Sequence, residues 1–279
     1  MSRSRLLTLT AGLTAAAFAL VGCASGGTAA PSDDADAGYI TPGTLTIATG
    51  DIAYYPYVID DDPTSGEGFE AAIAYAIAEK LGFAHDEVEW VRTSFESAIA
   101  PGPKNFDFNI QQYTITDERK QAVDFSTPYY AASQAVVALK GGAAEGVDSI
   151  EGLKDLVLGA MAGSTSAQTI EATVEPNTAP QLYGSNEDAV AALTANQIDA
   201  LVLDLPTAYL ATAVYIEDSF IVGELPAGGV PDEWGVLLAK DSPLTARVSA
   251  ALDELRADGT LAAITEEWLG AGQGVTLLQ

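Results

Sequence analysis

Thr44–Thr49, TLTIAT, followed by Gly68–Leu81, GFEAAIAYAIAEKL, is the stretch whose reading decides the fold class. The first piece reads as a short strand. The second sets Phe69, Ala72, Ile73, Ala76, Ile77 and Leu81 on one face at the helical period, and Gly82 supplies a stop. The alternation then continues along the chain. Val88–Val91 and Phe106–Ile110 read as strands, and Thr116 is a good cap for a helix through Ala122. Ala135–Leu139 and Leu156–Ala160 read as strands, and Gly163-Ser164-Thr165-Ser166 turns into a helix. Ser185 caps a helix over Glu187–Ala195, and Ala200–Leu203 is a strand before a helix that opens at Pro206. Val236–Ala239 is the last strand, and helices over Pro243–Ala257 and Leu261–Trp268 complete the pattern. Strands that alternate with helices predict an α/β architecture with mostly parallel sheets.

Composition narrows the function. The 279 residues carry 12 Lys and Arg against 39 Asp and Glu, a formal net charge of −27, yet 48% are hydrophobic. That hydrophobic share is globular, so the charge does not mark a disordered acidic tail. An acidic excess of this size repels phosphate backbones, and no basic, aromatic-laced stretch offsets it, which argues against nucleic-acid binding. One Cys excludes a disulfide framework and a Cys-based zinc site. One His, His85, excludes multi-histidine metal sites and leaves little room for His-based acid–base catalysis. No cofactor or metal is expected.

The N-terminal end reads as an address. Arg3 and Arg5 precede the largely apolar run Leu6–Val21, which is short for a membrane span and fits the core of a secretory signal. It ends in Leu20-Val21-Gly22-Cys23, which resembles a bacterial lipobox, with Cys23 as the residue lipidated after cleavage; the alternative is an ordinary signal with an incidental cysteine. The expected division is a signal over 1–22 and a flexible, small and acidic tether over 23–38, with no later run apolar enough to span a bilayer.

A longer ordered set of motifs carries a family resemblance. Asp51-Ile52-Ala53-Tyr54-Tyr55-Pro56-Tyr57 follows the first strand, and Gly68-Phe69-Glu70 opens the first helix where relatives have Gly-Phe-Asp. The most specific stretch is Ile110-Gln111-Gln112-Tyr113-Thr114-Ile115-Thr116-Asp117-Glu118-Arg119, continued by Ala122-Val123-Asp124-Phe125-Ser126-Thr127-Pro128-Tyr129-Tyr130. Gly163-Ser164-Thr165, Asp204, Asp258-Gly259-Thr260 and Glu267-Trp268 follow in order. The whole resembles the solute-binding proteins of ABC importers, polar amino-acid family. The resemblance implies a two-lobed periplasmic-binding-protein-like (type 2) fold with ligand in the cleft. Lobe 1 would span 39–132 and 236–279 and lobe 2 133–235, with crossing strands near Ser133–Val137 and Glu233–Leu237. Closure would come by hinge bending.

An α-amino acid presents a carboxylate and an ammonium, so its receptor needs opposite charges at matching separation. Apart from Arg3 and Arg5, the arginines are Arg92, Arg119, Arg247 and Arg256. Arg119 is the candidate carboxylate clamp, because a guanidinium bonds both oxygens in one plane; alternatively it answers Asp117 or Glu118 on an exposed helix. Ser164, Thr165 and Ser166 offer backbone N–H groups at a helix start, a natural anion site, or simply cap that helix. Asp204, at the end of its strand, is the ammonium partner by resemblance, or serves the helix at Pro206. The Thr114 hydroxyl and the Gln112 carbonyl would complete the ammonium shell. Tyr54 and Phe95 would wall the ligand side chain, or pack in the core. Asp51 would face the distal end of a basic or amide side chain, or is a surface turn acid. Gln111 and Gln112 depart from the small hydroxyl residues frequent in relatives.

The expected function is a lipid-anchored, monomeric receptor outside the cytoplasm that binds a polar or basic amino acid and delivers it to an ABC permease, without covalent chemistry. Two other readings are an enzyme on the same scaffold, such as a cyclohexadienyl- or prephenate-type dehydratase using Glu70 or Glu96, and a sensory module.

Overall fold

The computed structural model describes residues 38–227, 232–270 and 274–279. The expected signal, Cys23 and nearly all of the tether lie outside the described residues. Among the described residues, no helix is long and apolar enough to cross a membrane.

Two five-stranded sheets organise the chain. The first has the order β2-β1-β3-β10-β4, from β1 (Leu45–Gly50), β2 (Val88–Thr93), β3 (Phe108–Asn109), β4 (Val123–Ala132) and β10 (Asp232–Ala239). The second has the order β7-β6-β8-β5-β9, from β5 (Gln134–Leu139), β6 (Leu158–Met161), β7 (Gln181–Tyr183), β8 (Ala200–Asp204) and β9 (Ser219–Leu225). The sheets are mixed rather than mostly parallel. β1 runs parallel to β2 and β3, and β6 runs parallel to β7 and β8. The antiparallel pairings all involve β5 or β10, each of which follows a change of sheet. Here β4 leaves the first sheet and β10 returns beside it in the opposite sense, a pairing that the alternation of strands and helices does not reveal.

The helices follow the sequence pattern closely. They are α1 (Phe69–Leu81), α2 (Phe95–Ile99), α3 (Ile150–Leu153), α4 (Thr165–Thr169), α5 (Asn186–Thr194), α6 (Leu205–Leu210), α7 (Thr245–Ala257) and α8 (Thr260–Leu269). In the first lobe Phe69, Ile73 and Ile77 of α1 meet Leu45 and Ile47 of β1, with Val248, Leu252 and Leu255 of α7 and Leu261 of α8 in the same core. The second sheet is buried on both faces. Val136, Leu158 and Val202 pack with Ile170 on one side, while Val137, Leu201 and Leu203 pack with Leu193 of α5 and Ala208 of α6 on the other. Continuous burial is why these strands read as apolar runs.

The chain changes sheet between β4 and β5, at Ser133, and again between Leu225 and Asp232. The second change comes before Glu233–Leu237, which lie inside β10. The expected helix from Thr116 to Ala122 shortens to a single 3₁₀ turn at Arg119–Gln121. Glu118, not Thr116, takes the N-cap position, and the Thr116 hydroxyl accepts the Arg119 N–H at 3.1 Å from just upstream. Val123 is already paired with Ala239, so nothing beyond that turn can stay helical. The C-terminal residues also differ from expectation, since they lie against the second sheet and not with α7 and α8. Glu224 of β9 donates to the Thr276 carbonyl and accepts from the Leu278 N–H, both at 2.9 Å. Gly223 makes room for this: a Cβ there would lie 2.5 Å from Leu278.

Candidate functional site

The strand ends and helix starts of the two lobes face one cleft of about 260 Å³. From the first lobe, β1 stops at Gly50 and the chain turns through Asp51 to Tyr54. Gly50 is required by crowding, because a Cβ would sit 2.7 Å from both the Gln111 Nε2 and the Ile52 carbonyl. Arg92 fixes this turn, donating to the Gly50 carbonyl at 2.9 Å and to Asp61 at 2.6 Å, while Asp61 also accepts the Ala53 N–H. Asp51 takes no part in that scaffold. It is exposed at the cleft wall.

The segment after β3 supplies Gln111, Gln112 and Thr114. It runs beside the start of β10, with Gly235 donating to the Tyr113 carbonyl at 2.9 Å and Ile115 donating to that of Glu233 at 2.8 Å. Gln112 holds a left-handed backbone, φ 48°. Its N–H donates to the fully buried Glu70 at 2.8 Å, and its side-chain amide and the Tyr129 hydroxyl donate to the same carboxylate. Burial pushes the Glu70 carboxyl up from 4.5 to about 7 against these three donors. Glu70 therefore sits behind the loop as its anchor, outside the cleft lining. Gln111 accepts from the Tyr113 hydroxyl at 2.7 Å. Tyr113 in turn stacks on Phe95, ring centroids 4.7 Å apart.

Arg119 is 7% exposed and makes no ion pair with Asp117 or Glu118; Lys120 pairs with Asp117 instead. Its guanidinium donates to the Thr114 carbonyl at 2.7 Å and, across the cleft, to the Gly163 carbonyl at 2.9 Å. Phe95 lies beneath it, 5.3 Å from ring centroid to guanidinium carbon. Two of five N–H donors are thus used by neutral carbonyls, and no carboxylate bonds it among the described residues. Burial lowers its pKa, with Asp232 opposing that shift.

From the second lobe come α4, α6 and the ends of their strands. Ser164 caps α4, accepting the Ala167 N–H at 3.2 Å and donating to the Met161 carbonyl at 2.7 Å. The capping alternative therefore describes its side chain. Ser166 donates to Gln134 at 2.7 Å, and Gln134 donates to Asp204 at 2.6 Å and to Asp232. Thr114 also donates to Asp232, and its hydroxyl lies 3.2 Å from that of Thr165. The Asp204 side chain gives no capping bond to α6, so it does not serve the helix at Pro206. Burial, then the nearby charge of Asp232, holds the Asp204 carboxyl well above its ordinary range, while Gln134 and Arg119 pull it back. A further contact between the lobes joins the Tyr57 and Thr207 hydroxyls at 2.8 Å.

All eleven residues singled out from sequence line this cleft: Asp51, Tyr54, Phe95, Gln111, Gln112, Thr114, Arg119, Ser164, Thr165, Ser166 and Asp204. Several of their side chains are engaged otherwise than expected, notably Gln112 with Glu70 and Thr114 with Asp232. The reading missed Gln134 and Asp232, which tie Asp204 into the network and which no local motif marks. It also missed the lining segment Gly184–Asp188. There Ser185 is the helix cap that the sequence suggests, accepting the Asp188 N–H at 3.1 Å, and the capped turn also faces the cleft. Tyr54 extends toward this segment. Burial first, then the Glu187 carboxylate beside it, raises the Tyr54 pKa.

The architecture and sequence have known counterparts. A family model for bacterial extracellular solute-binding proteins, family 3, matches residues 45–271. The L-cystine-binding protein TcyJ of Escherichia coli K12 is 29% identical over 82% of this chain and 84% of its own length. The glutamate-binding protein GluB of Corynebacterium glutamicum is 31% identical over 75% of this chain and 72% of its own. Among solved structures, an ancestral arginine-binding protein bound to glutamine superposes with a TM-score of 0.70 at 33% identity, covering 83% of this chain and 100% of that one. A family match over most of the length, a two-lobed fold and a cleft between the lobes agree: the chain belongs to the family 3 bacterial extracellular solute-binding proteins.

Proposed function

We propose that this protein is a receptor that takes a polar or basic amino acid into the interlobe cleft and presents it to an ABC importer at the membrane. One observation carries this reading. A buried guanidinium, Arg119, spans from one lobe to the other with donors to spare and, among the described residues, no carboxylate bonded to it. A ligand carboxylate supplies the missing charge at Arg119, and Asp204, backed by Gln134 and Asp232, receives the ammonium. The same contacts bridge both lobes, so ligand binding and lobe closure are one event. Relatives named for cystine, glutamate and arginine support an amino-acid ligand without choosing among them.

Phe95, under the guanidinium, and Tyr54, beside Glu187, wall the ligand side chain. Gln111, Gln112, Thr114, Ser164, Thr165 and Ser166 shape the pocket through the bonds described above. The protein acts as a monomer, tethered by a lipid on Cys23 at the outer face of the membrane. Leu20-Val21-Gly22-Cys23 supports the anchor.

The test is a thermal-shift screen of the protein from Cys23 onward against the common amino acids. A ligand that binds only the folded state raises the midpoint, by about 2.7 kcal/mol of stability at one hundred times Kd. Absence of any shift across the panel counts against the receptor reading. For the anchor, Cys23→Ala in cells should release the protein from membranes.

A further inference from the structure

We infer that the ligand carries a positively charged side chain and that Glu187, from the second lobe, is the residue that receives that distal charge. The inference rests on the receptor reading above and narrows it to one ligand class.

Glu187 lies in the first turn of α5, with Ser185 capping the helix start. Its side chain reaches the cleft, where it is one of the lining groups. Both carboxylate oxygens are closed off from solvent, and neither meets strict hydrogen-bond geometry with any of the described residues. The Tyr54 hydroxyl sits beside them and interacts with the carboxylate, but it is neutral and supplies no balancing charge. No lysine or arginine pairs with Glu187 among the described residues. A carboxylate closed off from water without a charged partner is costly, so the position calls for a cation.

Charge balance around the cleft agrees. Its lining holds Asp51, Glu187, Asp188 and Asp204 against Arg119 alone. A zwitterion neutralises Arg119 with its carboxylate and Asp204 with its ammonium, and leaves the other three acids uncompensated. A guanidinium or ammonium at the end of the ligand side chain relieves this deficit. Glu187 is the best placed of the three, because Asp51 and Asp188 are exposed and already hydrated. Tyr54, beside Glu187, lines the same cleft.

Titration calorimetry with L-arginine and L-citrulline decides the matter, because the two differ in replacing a guanidinium by a neutral urea. The wild type should bind L-arginine at least about 30-fold more tightly than L-citrulline. Glu187→Gln should bring that ratio to about threefold or less by weakening L-arginine alone. Unchanged L-citrulline binding shows that the variant is folded. The inference is overturned if the wild type does not discriminate, if Glu187→Gln weakens both ligands equally, or if Asp51→Asn and not Glu187→Gln removes the ratio. Preference for L-cystine or L-glutamine over both L-arginine and L-lysine overturns it too, while leaving the receptor reading standing. Failure of the wild type to bind any amino acid removes both.

Discussion

Two clusters in the cleft wall are built on opposite principles. Around Arg119, Gln134 and Asp204 nearly every polar side chain is already tied to another, through Thr114, Ser166 and Asp232. Around Glu187 the carboxylate is closed off from solvent with the neutral Tyr54 hydroxyl beside it and no cation paired to it among the described residues. The first cluster is organised before ligand arrives and suits the part every amino acid shares. The second is incomplete by itself and suits the part that varies. Preorganisation lowers the cost of binding, and an unmet charge sets the choice of ligand.

The largest test of this contrast is Arg119→Ala. Removing the guanidinium should lower amino-acid affinity by about 3–5 kcal/mol, beyond a hundredfold, by calorimetry. Near-normal affinity would mean that the tied cluster is structural only. Next comes Glu70→Gln, which probes what holds the Gln112 loop. The Glu70 carboxyl titrates higher folded than unfolded, so the folded state binds more protons between 4.5 and about 7. Stability from this group is therefore full below 4.5 and falls as pH rises through about 7, by roughly 3 kcal/mol in all. Urea melts across that window should show the wild type losing stability relative to Glu70→Gln; parallel curves would show that Glu70 titrates normally. Ser185→Ala removes the cap that sets Glu187 at the cleft and should cost about 1 kcal/mol in the same melts. It should loosen a cationic ligand more than a neutral one. The smallest effect is expected from Asp51→Asn. Because Asp51 is exposed, its pairing is worth ~0–1 kcal/mol, and affinity for L-arginine should fall no more than about fivefold.

Much of this was legible in the chain itself, and the gaps have physical causes. α1 and α5 announce themselves through periodicity and a capping serine, and β8 through an unbroken apolar run. β4 does not, because Pro128 interrupts a stretch otherwise mixed in character, and prolines argue against strands. It is tolerated at a register irregularity, where Pro128 faces Gly235. β9 hides its pairing behind Gly223, whose reason is a C-terminal segment more than fifty residues later. Arg119 and Asp204 were readable because motifs surround them. Asp232 and Gln134 gain their importance only from sheet pairing, which sets Gln134 opposite Asp204 and Asp232 opposite Ala132. Glu187 was named only as the first residue of a helix, a location that conceals where its carboxylate points.

The docking of Thr276–Leu278 on β9 has a mechanical consequence. The polypeptide passes from one lobe to the other not only at the two strand exchanges but once more after α8. This third strap docks beside the other two, because Glu224 pairs with Leu277 and with Ala135 and lies next to Leu225, where β9 ends, so it thickens the connection about which the lobes bend. Deleting the last six residues would therefore leave the pocket chemistry in place and alter the path by which the halves come together.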